Sequence, residues 1–211
     1  MQPNFIEFMI TAGVLTFGDF VTKSGRKTPY FINTGKYDTG EKLAKLGEFY
    51  ADAITRSGEN PTVLFGPAYK GIPLCSAASC ALFSKYGIDV AYSFNRKEAK
   101  DHGEGGTLVG YAPADGDRVA IIEDVTTAGT SVRETAAIFR NLNITAKITS
   151  LFVTVDRMER GKGSRSAFDE LREELDINIY AIATAQDIIA YLKSNGKDAS
   201  AIETYLAEYG A

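Results

Sequence analysis

The sequence predicts an α/β fold with a central, mostly parallel sheet flanked by helices and a small N-terminal hood. Three observations carry this. Short apolar, β-rich runs alternate with stretches of helical spacing. The runs are apolar on both faces, as strands covered by helices on both sides must be. A segment rich in β-branched and aromatic residues precedes the first such unit.

The elements follow in order. The segment "GVLTFGDFVTKSGRKTPYFINTG", with a "KSGRK" turn between two candidate strands, reads as a hairpin, so residues 1–37 are expected to contribute to the hood. Strands are expected at 62–66, 89–94, 118–124, 147–155 and 177–183. Helices are expected in "GEKLAKLGEFYADAITRSG", "GIPLCSAASCALFSKYG" and "GTSVRETAAIFRNLN", each ending near Gly or Asn. The stretch from Asn95 to Asp117 is polar, glycine-rich and longer than most connections, and its part from 95 to 110 is expected to be a functional loop. Two small amphipathic helices close the chain. A length of 211 residues suits a single domain over 1–211.

Composition narrows the classes. At 45% hydrophobic and 24% charged, with a mean hydropathy of -0.11, the chain can bury a core, and disorder is not expected. A net charge of -4 and a pI near 5.2 leave no global positive field to hold nucleic acid, so any polyanion binding must be local. Cys75 and Cys80 lie five apart in an apolar run without CxxC spacing and are expected to be core thiols in a reducing compartment. The N-terminus lacks a basic region followed by a long apolar one, and no 18-residue apolar run occurs, which predicts a cytoplasmic protein with no membrane association.

The chemistry concentrates in "RVAIIEDVTTAGTS", from Arg118 to Ser131. Burying a carboxylate without a partner is costly, so Glu123 and Asp124 are expected where the strand leaves the core. The turn that follows, Val125, Thr126, Thr127, Ala128, Gly129, Thr130 and Ser131, is small and hydroxylated. Its backbone can wrap a phosphate at the start of a helix, while the two acids accept sugar hydroxyls or hold a cation. An ordinary strand and N-capped helix would explain Thr130 or Ser131 but not the adjacent acids. No Walker A pattern is present.

This stretch resembles the phosphoribosyl pyrophosphate motif of the type I phosphoribosyltransferases, departing from it at Thr126, where the family usually has an aliphatic residue. Four further segments narrow the resemblance to the orotate phosphoribosyltransferases. "TKSGRKTPYFIN" is similar to their hood and "NRKEAKDHGEGG" to their mobile catalytic loop. "GPAYKGIPL" is similar to their pyrophosphate loop and "VDRMERG" to the segment with their orotate-binding arginine. The resemblance implies the type I phosphoribosyltransferase fold and the Mg2+-dependent transfer of ribose 5-phosphate to orotate, giving orotidine 5'-monophosphate and diphosphate in de novo pyrimidine biosynthesis. It also implies a homodimer with shared active sites. A chain of this length has no room for the decarboxylase domain of the fused version, so the next step is expected from another protein.

The resemblance assigns roles residue by residue. Lys23, Lys100, His102 and Asp124 are the catalytic candidates. Tyr69, Lys70, Arg96 and Lys97 join Lys23, Lys100, His102, Glu123, Asp124 and residues 125–131 around phosphoribosyl diphosphate. Tyr30 and Phe31 supply a ring surface for orotate, where the family usually has two phenylalanines. Arg157 meets the orotate carboxylate with a planar fork, and Thr127 meets the base. Mg2+ is held mainly through substrate and water, with no dedicated protein ligands.

Residue types alone leave blander readings open. Lys23, Lys97 and Lys100 could be solvated surface charges, His102 an exposed loop residue, and Tyr30 and Phe31 hood core. Two other functions also remain: a transferase for a purine or uracil, and a phosphoribosyl diphosphate-sensing regulator without catalysis. The second would need a nucleic-acid surface that the net charge does not supply.

Overall fold

The computed structural model describes residues 3–22, 25–100, 106–125, 129–161, 163 and 165–211. A helix, α1 (Pro3–Thr11), leads into an antiparallel hairpin of β1 (Leu15–Val21) and β2 (Lys27–Ile32), and a single 3-10 turn over Thr34–Lys36 follows. Then come α2 (Gly40–Ser57), β3 (Val63–Gly66), α3 (Gly71–Tyr86), β4 (Ala91–Lys100), β5 (Gly106–Gly110) and β6 (Arg118–Ile122). The chain continues through α4 (Thr130–Asn141), β7 (Lys147–Asp156), α5 (Ala167–Leu175), β8 (Asn178–Thr184), α6 (Ala185–Ser194) and α7 (Ser200–Tyr209). The main sheet has the order β5-β4-β3-β6-β7-β8, parallel throughout except for the β4–β5 pair.

The strands formed where both faces could be buried. Every residue of β3 is buried, as are the last four of β6. Helix α2 starts at Thr39, whose hydroxyl accepts from the Lys42 N–H, and stops at Gly58 in the left-handed region. Phe5, Ile6 and Met9 of α1 join Phe49 and Tyr50 of α2 in the same core as Leu64, Ala120 and Phe152 of the sheet. The Phe5 and Phe49 rings meet edge to face with centroids 4.9 Å apart. The hood is thereby fixed to the layer that covers the sheet.

Two expectations need correction. In its described part, the segment 95–110 is the outer half of β4 and the antiparallel strand β5, with Phe94 facing Val109 and Asn95 facing Leu108, rather than an open loop. A five-residue edge strand that begins and ends with glycine, Gly106 to Gly110, carries only a short pattern of its own, and pairing with β4 completes it. Cys75 is buried, its thiol pushed up to about 12 by burial, but Cys80 is exposed. Five residues along a helix turn the side chain roughly 140° at 3.6 residues per turn, so both thiols could not face the sheet. Among the described residues, no helix is long and apolar enough to cross a membrane.

Candidate active site

The strand order reverses direction at β3. From there the chain steps outward to β4 and β5, and then returns to β6 on the other side. Ligands of open parallel sheets bind outside the carboxyl ends of the strands at such a reversal. The two loops there follow Gly66 and Ile122. A Cβ on Gly66 would collide with the Gly71 carbonyl, so glycine lets the first loop fold back on its helix. Asn95 of β4 braces this loop by accepting from the Ala68 N–H at 2.9 Å. The loop delivers Lys70 into the crevice, where its Nζ lies 2.6 Å from Asp124 Oδ2 and 3.1 Å from Thr34 Oγ1. Tyr69 stands open to solvent, and Lys97 Nζ lies 5.4 Å from its ring centroid. Arg96 donates to the Gly106 carbonyl across the β4–β5 pair at 3.2 Å.

The second loop begins with the acid pair. Glu123 and Asp124 are each only 7% exposed, and their backbone is held from both sides. Tyr50 of α2 donates to the Glu123 carbonyl, and the Thr154 hydroxyl and N–H of β7 donate to the Asp124 carbonyl. The two carboxyls part company electrostatically. Burial pushes Glu123 up to about 6, against hydrogen bonds from Ser131 and the Asp124 N–H. Burial pushes on Asp124 too, but Lys70, Thr34 and the Val125 N–H outweigh it and hold the group below the usual carboxylate range. Near neutrality both are anions, and Glu123 is the one that takes a proton first on acidification.

A raised carboxyl stabilises the fold below its unfolded value, and that contribution is lost as pH rises through about 6. Glu123→Gln should therefore raise unfolding free energy at pH 8 by about 1–2 kcal/mol, as expected for a shift of this size in a buried group. The gain should vanish below about pH 4.5, the ordinary glutamate range. Urea titrations at the two pH values check this.

Beyond Val125, the residues Thr126, Thr127 and Ala128 lie outside the described residues, so the predicted cradle is seen at its two ends. Its far end is Gly129, at φ 65°, where a Cβ would lie 2.5 Å from Leu171 Cδ1. Helix α4 starts immediately after with Gly129, which has no side chain, at its N-cap, so the N–H groups of its first turn, including those of Thr130 and Ser131, are placed as those of an anion-binding helix end would be. Leu171 is fully buried in a cluster with Ile121, Val132 and Phe168. Gly129→Ala should lower stability by about 2–4 kcal/mol, combining left-handed backbone strain with overpacking. A thermal melt reads this directly.

The third component follows β7. Arg157 bonds Glu159 through Nε at 2.6 Å and Thr28 Oγ1 of the hood through Nη2 at 3.1 Å, and its guanidinium lies 4.3 Å from the Tyr30 ring centroid. Tyr205 of α7 donates to the same Glu159 oxygen at 2.9 Å. Arg160 N–H donates to the Tyr209 carbonyl, and Ala211 N–H to that of Met158, so the last helix fastens this segment.

Tyr30 and Phe31 do not form one surface. Residues alternate across a strand, so Tyr30 is fully buried under Arg157 while Phe31 is 43% exposed and stacks on Phe20. Tyr30 supports the arginine, and its buried hydroxyl has no hydrogen-bond partner among the described residues. Phe31 is, with Phe17 of β1, an open ring of the hood.

Lys70, Glu123, Asp124, Gly129 and Ser131 are thus brought to one crevice, with Arg157 beside the hood. Lys23 and His102 lie outside the described residues, as does the side chain of Lys100. Sequence reasoning missed Thr28, Thr34, Asn95, Thr154 and Glu159, which hold the others in place. Thr28, Thr34, Asn95 and Thr154 carry no local signal, because each acts on a residue distant in sequence, whereas Glu159 lies only two positions from Arg157 and its alternate spacing was the one available clue.

Residues 33–187 match the family described as phosphoribosyl transferase domain. Over 100% of this chain and 98% of its own length, an orotate phosphoribosyltransferase from Clostridium beijerinckii is 52% identical. One from Clostridium botulinum is 50% identical over the same shares. A crystal structure of an orotate phosphoribosyltransferase from Francisella tularensis superposes with a TM-score of 0.88 at 39% identity, covering 99% of this chain and 100% of that one.

Proposed function

We propose, because this chain belongs to the phosphoribosyl transferase family and within it to the orotate phosphoribosyltransferases, that it transfers ribose 5-phosphate from 5-phospho-α-D-ribose 1-diphosphate to orotate. The products are orotidine 5'-monophosphate and diphosphate, which makes this a pentosyl transfer in de novo pyrimidine biosynthesis in the cytoplasm. One observation carries the reading: a single stretch of hood touches both halves of the crevice. Thr28 bonds Arg157 and Thr34 bonds Asp124, so residues six apart in the hood hold both a cation suited to a carboxylate and the acid pair.

Glu123 and Asp124 accept the two ribose hydroxyls, and the first turn of α4 takes the 5'-phosphate. Arg157 orients orotate through its carboxylate so that the ring nitrogen meets the anomeric carbon. Loss of diphosphate leaves that carbon oxocarbenium-like, and charge builds on the departing oxygens. Lys70 stands where that charge develops, and a donor already in place there lowers the barrier. Tyr69, Arg96, Lys97, Lys23, Lys100 and His102 are proposed to complete the enclosure of the diphosphate, with Thr127 reaching the base. Mg2+ supplies further charge neutralisation on the diphosphate when bound. Among the described residues, no three acidic, His or Cys side chains come together, and the Asp124 carboxylate is engaged by Lys70 and Thr34. That donor set fits an ion carried by substrate oxygens and water.

A homodimer with shared sites is part of the same proposal. It is supported by the exposed Phe83, Tyr86, Ile88, Tyr92 and Tyr111 on α3 and the β4–β5 side of the sheet. The decisive assay follows orotate absorbance with purified protein, Mg2+ and phosphoribosyl diphosphate. Orotate should be consumed in preference to uracil or hypoxanthine, and a chelator should stop the reaction. No consumption, or preference for another base, would overturn the reading.

A further inference from the structure

Thr34 belongs to none of the four segments that carry substrate contacts, yet its hydroxyl sits between the two charged groups at the centre of the crevice. It donates to Asp124 Oδ2 at 2.6 Å and accepts from Lys70 Nζ at 3.1 Å, while Lys70 reaches the same Asp124 oxygen at 2.6 Å. The three side chains close a triangle that draws on three separate elements. Lys70 leads α3, Asp124 lies at the start of the loop after β6, and Thr34 opens the 3-10 turn that follows the hood's hairpin.

That turn is itself fixed. Asn33 caps it by accepting from the Gly35 N–H at 3.1 Å, and the Asn33 N–H donates to the Val14 carbonyl at 2.8 Å. A hydroxyl that accepts from an ammonium is polarised and becomes a better donor to a carboxylate. An ammonium has three N–H bonds, so Lys70 keeps a third for an anion while two are committed here.

We propose that Thr34 is a positioning residue that sets the ribose-binding acid and the diphosphate-binding lysine at a fixed spacing and ties that spacing to the hood. The inference rests on the transferase reading given above. Because the triangle stands in the free protein, its contribution is made to the bound donor substrate and to the transition state alike. A uniform contribution of this kind appears in KM rather than in kcat.

Three variants test it: Thr34→Val, which keeps the shape without the hydroxyl, Thr34→Ala, and Thr34→Ser, which restores the hydroxyl. At saturating orotate, Val and Ala should each raise the KM for phosphoribosyl diphosphate about tenfold, within the range of a lost hydrogen bond to a charged group, with kcat changed by less than about threefold. Ser should return KM to within about twofold of the parent. A KM unchanged in Val and Ala, a fall confined to kcat, or a Ser variant no better than Val would overturn the proposal. An unaltered protein that does not consume orotate would instead overturn the transferase reading. Calorimetric binding of the Mg2+ complex of phosphoribosyl diphosphate to the same set then reads Thr34 separately, with the same tenfold weakening expected and equal affinities as the contrary result.

Discussion

Arg157→Lys is expected to raise the KM for orotate by about 10²-fold, and Arg157→Ala to lower kcat/KM for orotate by about 10³-fold, the loss typical when one partner of a buried charge pair is removed. The guanidinium is already organised before any ligand arrives. Nε is engaged by Glu159, Nη2 by Thr28, and the flat face rests near the Tyr30 ring. Lysine offers a point charge that cannot hold these directions at once and still present a planar edge to a carboxylate. The affinity for phosphoribosyl diphosphate should stay within about threefold in the lysine variant, since Arg157 does not touch the acid pair. Steady-state kinetics with each substrate varied in turn check both statements. Alanine should also lower the melting temperature, because near-buried Glu159 would keep only the more distant Arg26, at 3.9 Å, as a cationic partner.

Asp124→Asn is expected to raise the KM for phosphoribosyl diphosphate by about 10²-fold and to reduce kcat as well, with losses of roughly 2–4 kcal/mol for a charge-assisted network. The amide has nearly the shape of the carboxyl but only one accepting atom. Lys70 and Thr34 both converge on a single carboxyl oxygen, so the substitution weakens the clamp and releases the lysine together. The depressed carboxyl also sets the sign of a stability effect. Its contribution is present above the ordinary aspartate range and is lost as pH falls through the lowered native value. Asp124→Asn should therefore destabilise the fold at pH 7 and lose that effect in acid, opposite to Glu123→Gln. Kinetics together with urea titrations at two pH values check the pair.

Much of this was legible in the residues because burial on both faces writes itself into a strand. The runs read as strands at 62–66, 118–124 and 147–155 became β3, β6 and β7, with ends moved by one or two residues. The acid pair was legible for the same reason, since charge at the end of an apolar run needs a cause. β5 was not, because its own pattern is short and its partner completes it. The opposite facing of Tyr30 and Phe31 was available from strand parity, with Thr28, Tyr30 and their neighbours alternating in burial. The supporting residues other than Glu159 were out of reach: nothing near Thr34 in sequence indicates a carboxylate 90 positions away.

The fastening of the Arg157 segment by α7 also orders events during synthesis. Tyr205, which shares Glu159 with Arg157, follows that arginine by 48 positions. At about 5–20 residues per second, Arg157 waits roughly 2–10 s for the residues that complete its setting. Lys70 and Asp124 have by then been made, but Leu171, against which Gly129 packs, and α7, which meets Tyr30 through Tyr205, come later, so both halves of the crevice are completed by the C-terminal part of the chain.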